Sequence, residues 1–504
     1  MGTSSGVAVA SSTQLATDAG ASVAREGGNA VDTAIAAAWV GSVAEPGICA
    51  PGCGGFVTVW GPDIEPATVD GYIEMPGRGA APERFGSGTT EVSIEYGGGV
   101  TMHVGHGSVG TPGGPAALAV ASERFGRLPW NEILAPAIAI TRDGFPLTAP
   151  ARHYLEYSGE KVFGWHADGR AALHHADGRL LDADETVRVE HLSDSLERLA
   201  RHGVDDFYTG EIGRAIAADM AEHGGLLTLD DLAAYSPVVR RALVGEVPGW
   251  TVATNPPPAI GGVTLGAMLG LLGGRPTGPW REDDVAHLVD VQARVLGFRR
   301  DRVDLREDVV AAIDELRAAF TAPSTVHTSA VDADGLACAV TLSAGYGSGV
   351  MVPGTGLWMN NCLGEVELNR RGLHAWPVGA RLVSNMAPTV ARSDAGAVLS
   401  IGSPGADRIT TAILQVFANH AHAGMSLAEA IAHPRLHVEA TEDGARVAAE
   451  PGIPRPDTDL PWRMLEGPSM YFGGVGAVLW SEDAGFAAAA DPRRAGGTAI
   501  VRRG

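Results

Sequence analysis

At 504 residues the chain is long enough for two domains or for two segments sharing one large core, and an apolar fraction of 45% permits such a core. A formal charge of −22 argues against a nucleic-acid partner, whose phosphates demand clustered Lys and Arg. No apolar run approaches the roughly 18 residues of a membrane span, and the N-terminus lacks a basic and then apolar leader, so a cytoplasmic protein with no membrane partner is expected.

In chain order, residues 13 to 45 carry helix-forming alanines broken by the turn Gly27-Gly28, with Asn29 as the cap of a second helix. Two amphipathic helices are predicted over 191 to 223 on either side of Asp205 to Gly210. Leu192, Leu196 and Leu199, then Ile212, Ile216 and Met220, recur there at helical spacing. Residues 284 to 301 and 309 to 320 are helical in pattern, whereas 326 to 332, 337 to 342, 397 to 401 and 475 to 480 read as short buried strands. The pattern is that of an α/β protein.

Cysteines at 49, 53, 338 and 362 have no second pair at zinc spacing and read as buried free thiols. No metal and no cofactor is expected. His103 and His106 stand out in Thr-Met-His-Val-Gly-His-Gly as loop or strand histidines.

The segment Ser324-Thr325-Val326-His327-Thr328-Ser329 precedes Thr341-Leu-Ser343 and Asn360-Asn361. Taken alone, Thr325 begins a β-branched strand. A threonine hydroxyl is a weak nucleophile that needs a base, and a free α-amino group on the same residue, with a reference pKa of about 8, supplies one. A backbone cut before Thr325 would therefore create nucleophile and base together.

These residues, with Glu26-Gly-Gly-Asn-Ala-Val-Asp32, Val43-Ala-Glu45-Pro46, Gly52-Cys-Gly-Gly-Phe56, Thr111-Pro-Gly-Gly, Phe125-Gly-Arg-Leu-Pro-Trp130, Pro256-Pro-Pro-Ala-Ile-Gly-Gly262, Ser384-Asn-Met-Ala-Pro-Thr389 and Gly402-Ser-Pro-Gly-Ala-Asp-Arg408, resemble in order the blocks of the γ-glutamyltranspeptidase family. The resemblance implies a four-layer αββα sandwich of the N-terminal nucleophile hydrolase type. It implies self-cleavage between Ser324 and Thr325, dividing residues 1–324 from 325–504, with the two fragments remaining as a heterodimer around one core. Ser343 corresponds to the hydroxyl that hydrogen-bonds the nucleophile. The backbone amides of Gly405 and Ala406 correspond to the oxyanion donors, Ala406 standing where a second glycine is usual. His103 and His106 precede a stretch that the family places near its active site, which implies substrate contact.

The substrate-binding positions depart from the family. Ile73 stands where an arginine holds the α-carboxylate of the glutamyl group, Gly345 where an asparagine is usual, and Cys362 where an amide or acid is usual. Glu365 takes an aspartate position, and Asn385 follows Ser384 where a second serine is expected. Isoleucine cannot supply a guanidinium's charge-assisted fork. The expectation is therefore a self-processing threonine hydrolase of a small molecule other than a γ-glutamyl compound. The resemblance extends to homologues in 4-alkyl-proline biosynthesis, whose proposed reaction is hydrolytic C–C scission releasing an oxalyl arm. Amide hydrolysis, including glutathione hydrolase-like activity, and a silent binding homologue are the alternatives.

Overall fold

A computed structural model describes residues 5–95, 99–302, 326–366, 368–369, 371–441 and 444–503. The strand Val326–Asp332 runs near the middle of a seven-stranded sheet, paired antiparallel with Gly6–Ser11 on one side and Ala337–Ser343 on the other. Beyond these lie Gly497–Arg502 at one edge and, at the other, Gly54–Gly61, Ile64–Gly71 and Val238–Arg241. Every residue of Val326–Asp332 and Ala337–Ser343 is buried. That is why their sequences, VHTSAVD and ACAVTLS, lack a polar solvent face.

A six-stranded sheet packs against the first. Its order is Gly485–Ala490, Gly476–Ser481, Val398–Gly402, Thr389–Ser393, Trp250–Thr254 and Leu243–Val247. The layer between the sheets is made of small side chains, including Ala8, Ala10, Ala253, Ala337, Ala339, Val390 and Val478. Such residues let two sheets approach to about 10 Å.

Helices cover both outer faces. Gln14–Arg25, Ala30–Ala44 and Gly114–Phe125 lie on the first sheet, and Gly261–Leu272 and Ile409–Ala421 pack on the second. All fifteen residues of Ala30–Ala44 are buried, which accounts for its uniformly apolar, alanine-rich sequence. The Asn29 side chain accepts from the amides of Val31 and Asp32, and Asp32 accepts from the amide of Asn29, closing a capping box. The result is the αββα sandwich expected of an N-terminal nucleophile hydrolase.

The helices predicted over 191 to 223 are Leu192–His202 and Glu211–Glu222. Between them, Asp205–Tyr208 forms a further short helix rather than a plain loop. The helical pattern from 284 to 301 is realised as Glu282–Arg302, while 309 to 320 lies outside the described residues. All four cysteines are buried and free. Among the described residues, no helix is long and apolar enough to cross a membrane.

Candidate active site

Ser324 and Thr325 lie outside the described residues, and the strand that follows them begins at Val326, paired with Leu342. Ser343, at the end of the neighbouring strand, is buried, and its Oγ accepts the Gly345 amide at 3.0 Å. The same residue pairs in register with Gly54 on the next strand. Two residues into the Val326 strand, the His327 ring is held between Thr341 Oγ1 at 2.9 Å and Ser329 Oγ at 2.7 Å. Burial pushes its pKa down to about 3, so it is a neutral imidazole. Sequence reading passed over His327, although its place in a fully buried strand marks it as a residue needing hydrogen-bond partners.

His327 also ties the two sheets together. The face of its ring lies where a side chain on Gly402 would stand, since a Cβ there would meet the ring at 2.3 Å. Gly402 ends its strand, and the chain then turns through Ser403 and Pro404. Gly405 has φ +136° and Ala406 has φ +56°. The left-handed region costs a non-glycine residue roughly 1–2 kcal/mol, so Ala406 is held there by its surroundings. Those surroundings are close: a Cβ on Gly405 would meet Gly473 Cα at 2.6 Å, and Ser403 Oγ accepts the Gly474 amide at 3.1 Å. Arg408, at the end of the turn, donates to the Tyr471 carbonyl at 2.9 Å with its guanidinium 4.4 Å from the ring centroid. Desolvation works against the Asp407 carboxylate, which is nonetheless 44% exposed, and Arg408 and His437 hold it well below the usual range. Among the described residues the buried amides of Gly405 and Ala406 donate to no acceptor. Two such amides are the donors an oxyanion requires.

Ile73 is fully buried and reaches the same region through Gly54, where a Cβ would meet the Ile73 side chain at 2.9 Å. Its neighbours in the cluster are apolar, among them Phe56, Met75, Leu226, Leu363 and Leu382. Backbone bonds fix it: the Leu382 amide donates to the Ile73 carbonyl at 2.9 Å, and Glu74 bridges both Thr111 and Arg381. Arg381 enters from the far side but is occupied there. Its Nη2 lies 3.1 Å from Glu74 Oε1, and its Nη1 donates to the Tyr72 carbonyl at 2.9 Å and also bonds the Tyr235 hydroxyl.

Beside Ile73 the structure brings together a polar group that sequence reading did not assemble. Burial raises the Tyr72 hydroxyl well above its ordinary pKa, and the hydroxyl lies against Cys362 and Ser384. Burial likewise raises the Cys362 thiol, reinforced by the neighbouring Glu365. Tyr72 stacks on Phe56 with 5.6 Å between ring centroids. The Ser384 carbonyl accepts from the amides of Ile260 and Gly261, and its Oγ accepts from Met386 N at 3.3 Å. Asn385 is fully buried, and neither atom of its side-chain amide has a hydrogen-bond partner among the described residues.

Gly345 has a local reason to be glycine. It sits at φ +64°, and a Cβ there would meet Asn361 Oδ1 at 2.1 Å and Glu365 Oε1 at 2.5 Å. The two asparagines beyond it brace the backbone. Asn360 spans the amide and carbonyl of Gly110, the carbonyl of Gly52 and the amide of Cys362. Asn361 Oδ1 accepts the Tyr346 amide at 2.7 Å.

The two histidines of the His103 to His106 segment have partners within the protein. His103 Nδ1 lies 3.3 Å from Thr89 Oγ1, while His106 Nε2 lies 3.1 Å from Asp219 Oδ2, with His223 stacked on its ring. Within Glu365 to Ser384, Asn369 and His374 are tied to their surroundings. Asn369 Nδ2 donates to the carbonyls of Cys362 and Glu365, and His374 Nε2 bonds the Gly107 carbonyl at 2.6 Å.

The four-layer sandwich is the fold of N-terminal nucleophile hydrolases. In solved structures it is shared by a cephalosporin acylase from Bacillus halodurans, with a TM-score of 0.80 and 24% identity, covering 98% of this chain and 96% of that one. A structure of LmbA matches with a TM-score of 0.77 and 21% identity, covering 99% and 98% of the two chains. The family model described as gamma-glutamyltranspeptidase matches residues 16–316 and 291–501, and the chain belongs to that family of enzymes. The glutathione hydrolase proenzyme of Escherichia coli (strain K12) is 29% identical over 540 residues, covering 96% of this chain and 90% of the relative. The acylase ACY 1 proenzyme of Pseudomonas sp. (strain SE83) is 28% identical over 527 residues, covering 97% and 92%.

Proposed function

We propose that the chain matures by cutting itself between Ser324 and Thr325, and that the freed Thr325 hydrolyses a small substrate that is not a γ-glutamyl compound. The observation that carries this reading is the strand register. Val326 pairs with Leu342, and one further step along that ladder would set Thr325 opposite Ser343, whose hydroxyl is already buried. The unengaged amides of Gly405 and Ala406 and the proenzyme names of the two relatives support it as well.

In this reading the Thr325 α-amino group accepts the proton from Oγ as Oγ attacks a carbonyl carbon, and the amides of Gly405 and Ala406 hold the resulting oxyanion. Each such donor is worth roughly 2.7–4 kcal/mol in the transition state. The tetrahedral intermediate expels its leaving group, which takes the proton back, and water then opens the Thr325 ester.

The pocket argues for the substrate class. Ile73 is sealed among apolar side chains, and Arg381 is paired with Glu74, so neither offers a guanidinium to a carboxylate. What remains is a set of hydroxyl, thiol, carboxyl and amide groups from Tyr72, Cys362, Glu365, Ser384 and Asn385, suited to an amine and neutral hydrogen-bonding groups. A cyclic amino acid bearing an oxalyl arm fits this set. Attack on the keto carbon next to the ring would break the C–C bond, its electron pair passing to an enamine carbon that is then protonated, and oxalate would leave from Thr325. Hydrolysis of a non-glutamyl amide uses the same steps with an amine as leaving group.

Denaturing electrophoresis of the purified protein tests the maturation step. Two fragments beginning at Met1 and Thr325 are expected, and Thr325→Ala should remain one inactive chain. Cleavage of that variant at the same bond would overturn the assignment, and an intact, inactive wild-type chain would favour the silent binding homologue.

A further inference from the structure

Behind the pocket, His106, Asp219 and His223 converge, although His106 and Asp219 are 113 positions apart in sequence. Asp219 lies in the last turn of the helix Glu211–Glu222, and His223 caps that helix four residues on, so the two side chains share one face. His106 comes from the short 3-10 turn His106–Ser108. Its Nε2 lies 3.1 Å from Asp219 Oδ2, and His223 Nδ1 lies 3.2 Å from Asp219 Oδ1. One donor atom from each residue falls within 4.8 Å of the other two.

We propose that these three side chains form a binding site for a first-row divalent cation, with zinc as the best match. Two imidazole nitrogens and one carboxylate oxygen are a borderline-soft donor set that leaves a position open for water, as zinc and ferrous sites use. Donors at about 2.0–2.1 Å from a tetrahedral metal stand about 3.4 Å apart. The contacts of His106 Nε2 and His223 Nδ1 are near that separation but fall on the two different oxygens of Asp219, and His223 Nδ1 also lies 3.0 Å from the Asp219 carbonyl, so the carboxylate must turn to present one oxygen to both rings. The remaining edge closes by rotation of one imidazole, and His223 has the freedom for it: its side chain is 47% exposed, against 8% for His106.

The charge balance points the same way. Asp219 is nearly buried, and its ion pairs among the described residues are both with imidazoles, not with a guanidinium or ammonium that would exclude a metal. A bound cation would compensate the buried carboxylate.

Such a cation would brace the rear of the pocket. The carbonyls of Gly107 and Ser108, directly after His106, accept from His374 Nε2 and from the Leu363 amide. Both partners belong to the segment that carries Cys362 and Glu365.

The test uses full-length protein freed of metal with a chelator and titrated with zinc against a chromophoric competitor. One equivalent per chain should bind with submicromolar affinity and raise the unfolding temperature. His223→Ala changes an exposed residue, so it should fold, and it should weaken binding at least tenfold and abolish the thermal shift. His175→Ala, which removes the half-buried His175–Glu185 pair elsewhere on the chain, serves as the control and should bind as the wild type does. Cobalt should give visible absorption characteristic of low coordination number in the wild type and lose it in His223→Ala. Absence of a tight equivalent, or binding that His223→Ala leaves unchanged, overturns the proposal. Because none of these readouts is turnover, the result stands apart from the assignment of Thr325.

Discussion

Gly345 lies so close to Asn361 that a Cβ built on it would meet Oδ1 at 2.1 Å, with Glu365 Oε1 only slightly farther at 2.5 Å. The family's usual asparagine therefore cannot be restored here by a single exchange. A side chain at φ +64° carries backbone strain, and the clash requires Asn361 to release the Tyr346 amide. Gly345→Asn should lose roughly 1–3 kcal/mol of stability, chiefly from overpacking, since asparagine is among the side chains that tolerate this backbone region. It should also show no gain in glutathione hydrolysis. A variant of unchanged unfolding temperature would mean that the loop relaxes freely.

The same limit applies at Ile73. A physiological γ-glutamyl substrate would leave its carboxylate unpaired, a loss of about 2–5 kcal/mol, or roughly 30-fold to several-thousand-fold in kcat/KM. Fully cleaved protein should turn over glutathione or a γ-glutamyl anilide that much more slowly than ordinary members of the family. Ile73→Arg should not rescue it, because the new guanidinium would be buried among Phe56, Met75 and Leu382. Turnover within tenfold of ordinary members would restore the γ-glutamyl reading.

How much of this was legible in the sequence depended on how far apart the cooperating residues lie. The cap at Asn29, the helix pair after His191 and the buried strands at 326 and 337 depend on neighbours a few residues away, so periodicity exposed them. The motif order carried the two-sheet sandwich. The pocket was read only as a set of substitutions, because the meaning of each depends on distant partners. Tyr72 meets Cys362 and Ser384 across some three hundred residues, and Arg381 is neutralised by Glu74 on another segment. His106 likewise read as a loop histidine until folding brought Asp219 and His223 to it. Between the two helices after His191, Asp205–Tyr208 is itself helical, four residues being too few for a periodic signal.

Glu45 offers a pH signature of the core. Its carboxyl is fully buried, accepts a hydrogen bond from Ser12 Oγ and feels Arg494, yet desolvation dominates and raises its pKa from 4.5 to about 7. A raised folded pKa means that its stabilising contribution is full below about pH 4.5 and is lost as pH climbs through about 7. The loss is on the order of 3 kcal/mol. Glu45→Gln keeps an acceptor for Ser12 but cannot ionise. Denaturant unfolding in the uncleaved Thr325→Ala background should show the variant gaining on its parent by about that amount between pH 4 and pH 8. A pH-independent difference between the two would show that Glu45 does not titrate this way.

Asn385 separates stability from activity most sharply. A buried amide without partners costs roughly 1–3 kcal/mol, a cost that a purely structural residue would have no reason to carry. Leucine has the same branched skeleton of four heavy atoms and no polar atoms, so Asn385→Leu should stabilise the substrate-free protein by about 1 kcal/mol. If Asn385 hydrogen-bonds substrate beside Ser384, the same exchange should lower kcat/KM at least tenfold while self-cleavage proceeds normally. The substrate for that assay is the one that the processed enzyme accepts. Oxalate release from a cyclised extradiol-cleavage product of DOPA, with an oxalyl adduct on the fragment beginning at Thr325, marks C–C scission. Ready hydrolysis of a simple acyl amide without oxalate release marks an amidase. A variant that is more stable and equally active on either substrate would remove Asn385 from the binding site and leave recognition to Tyr72, Cys362 and Glu365.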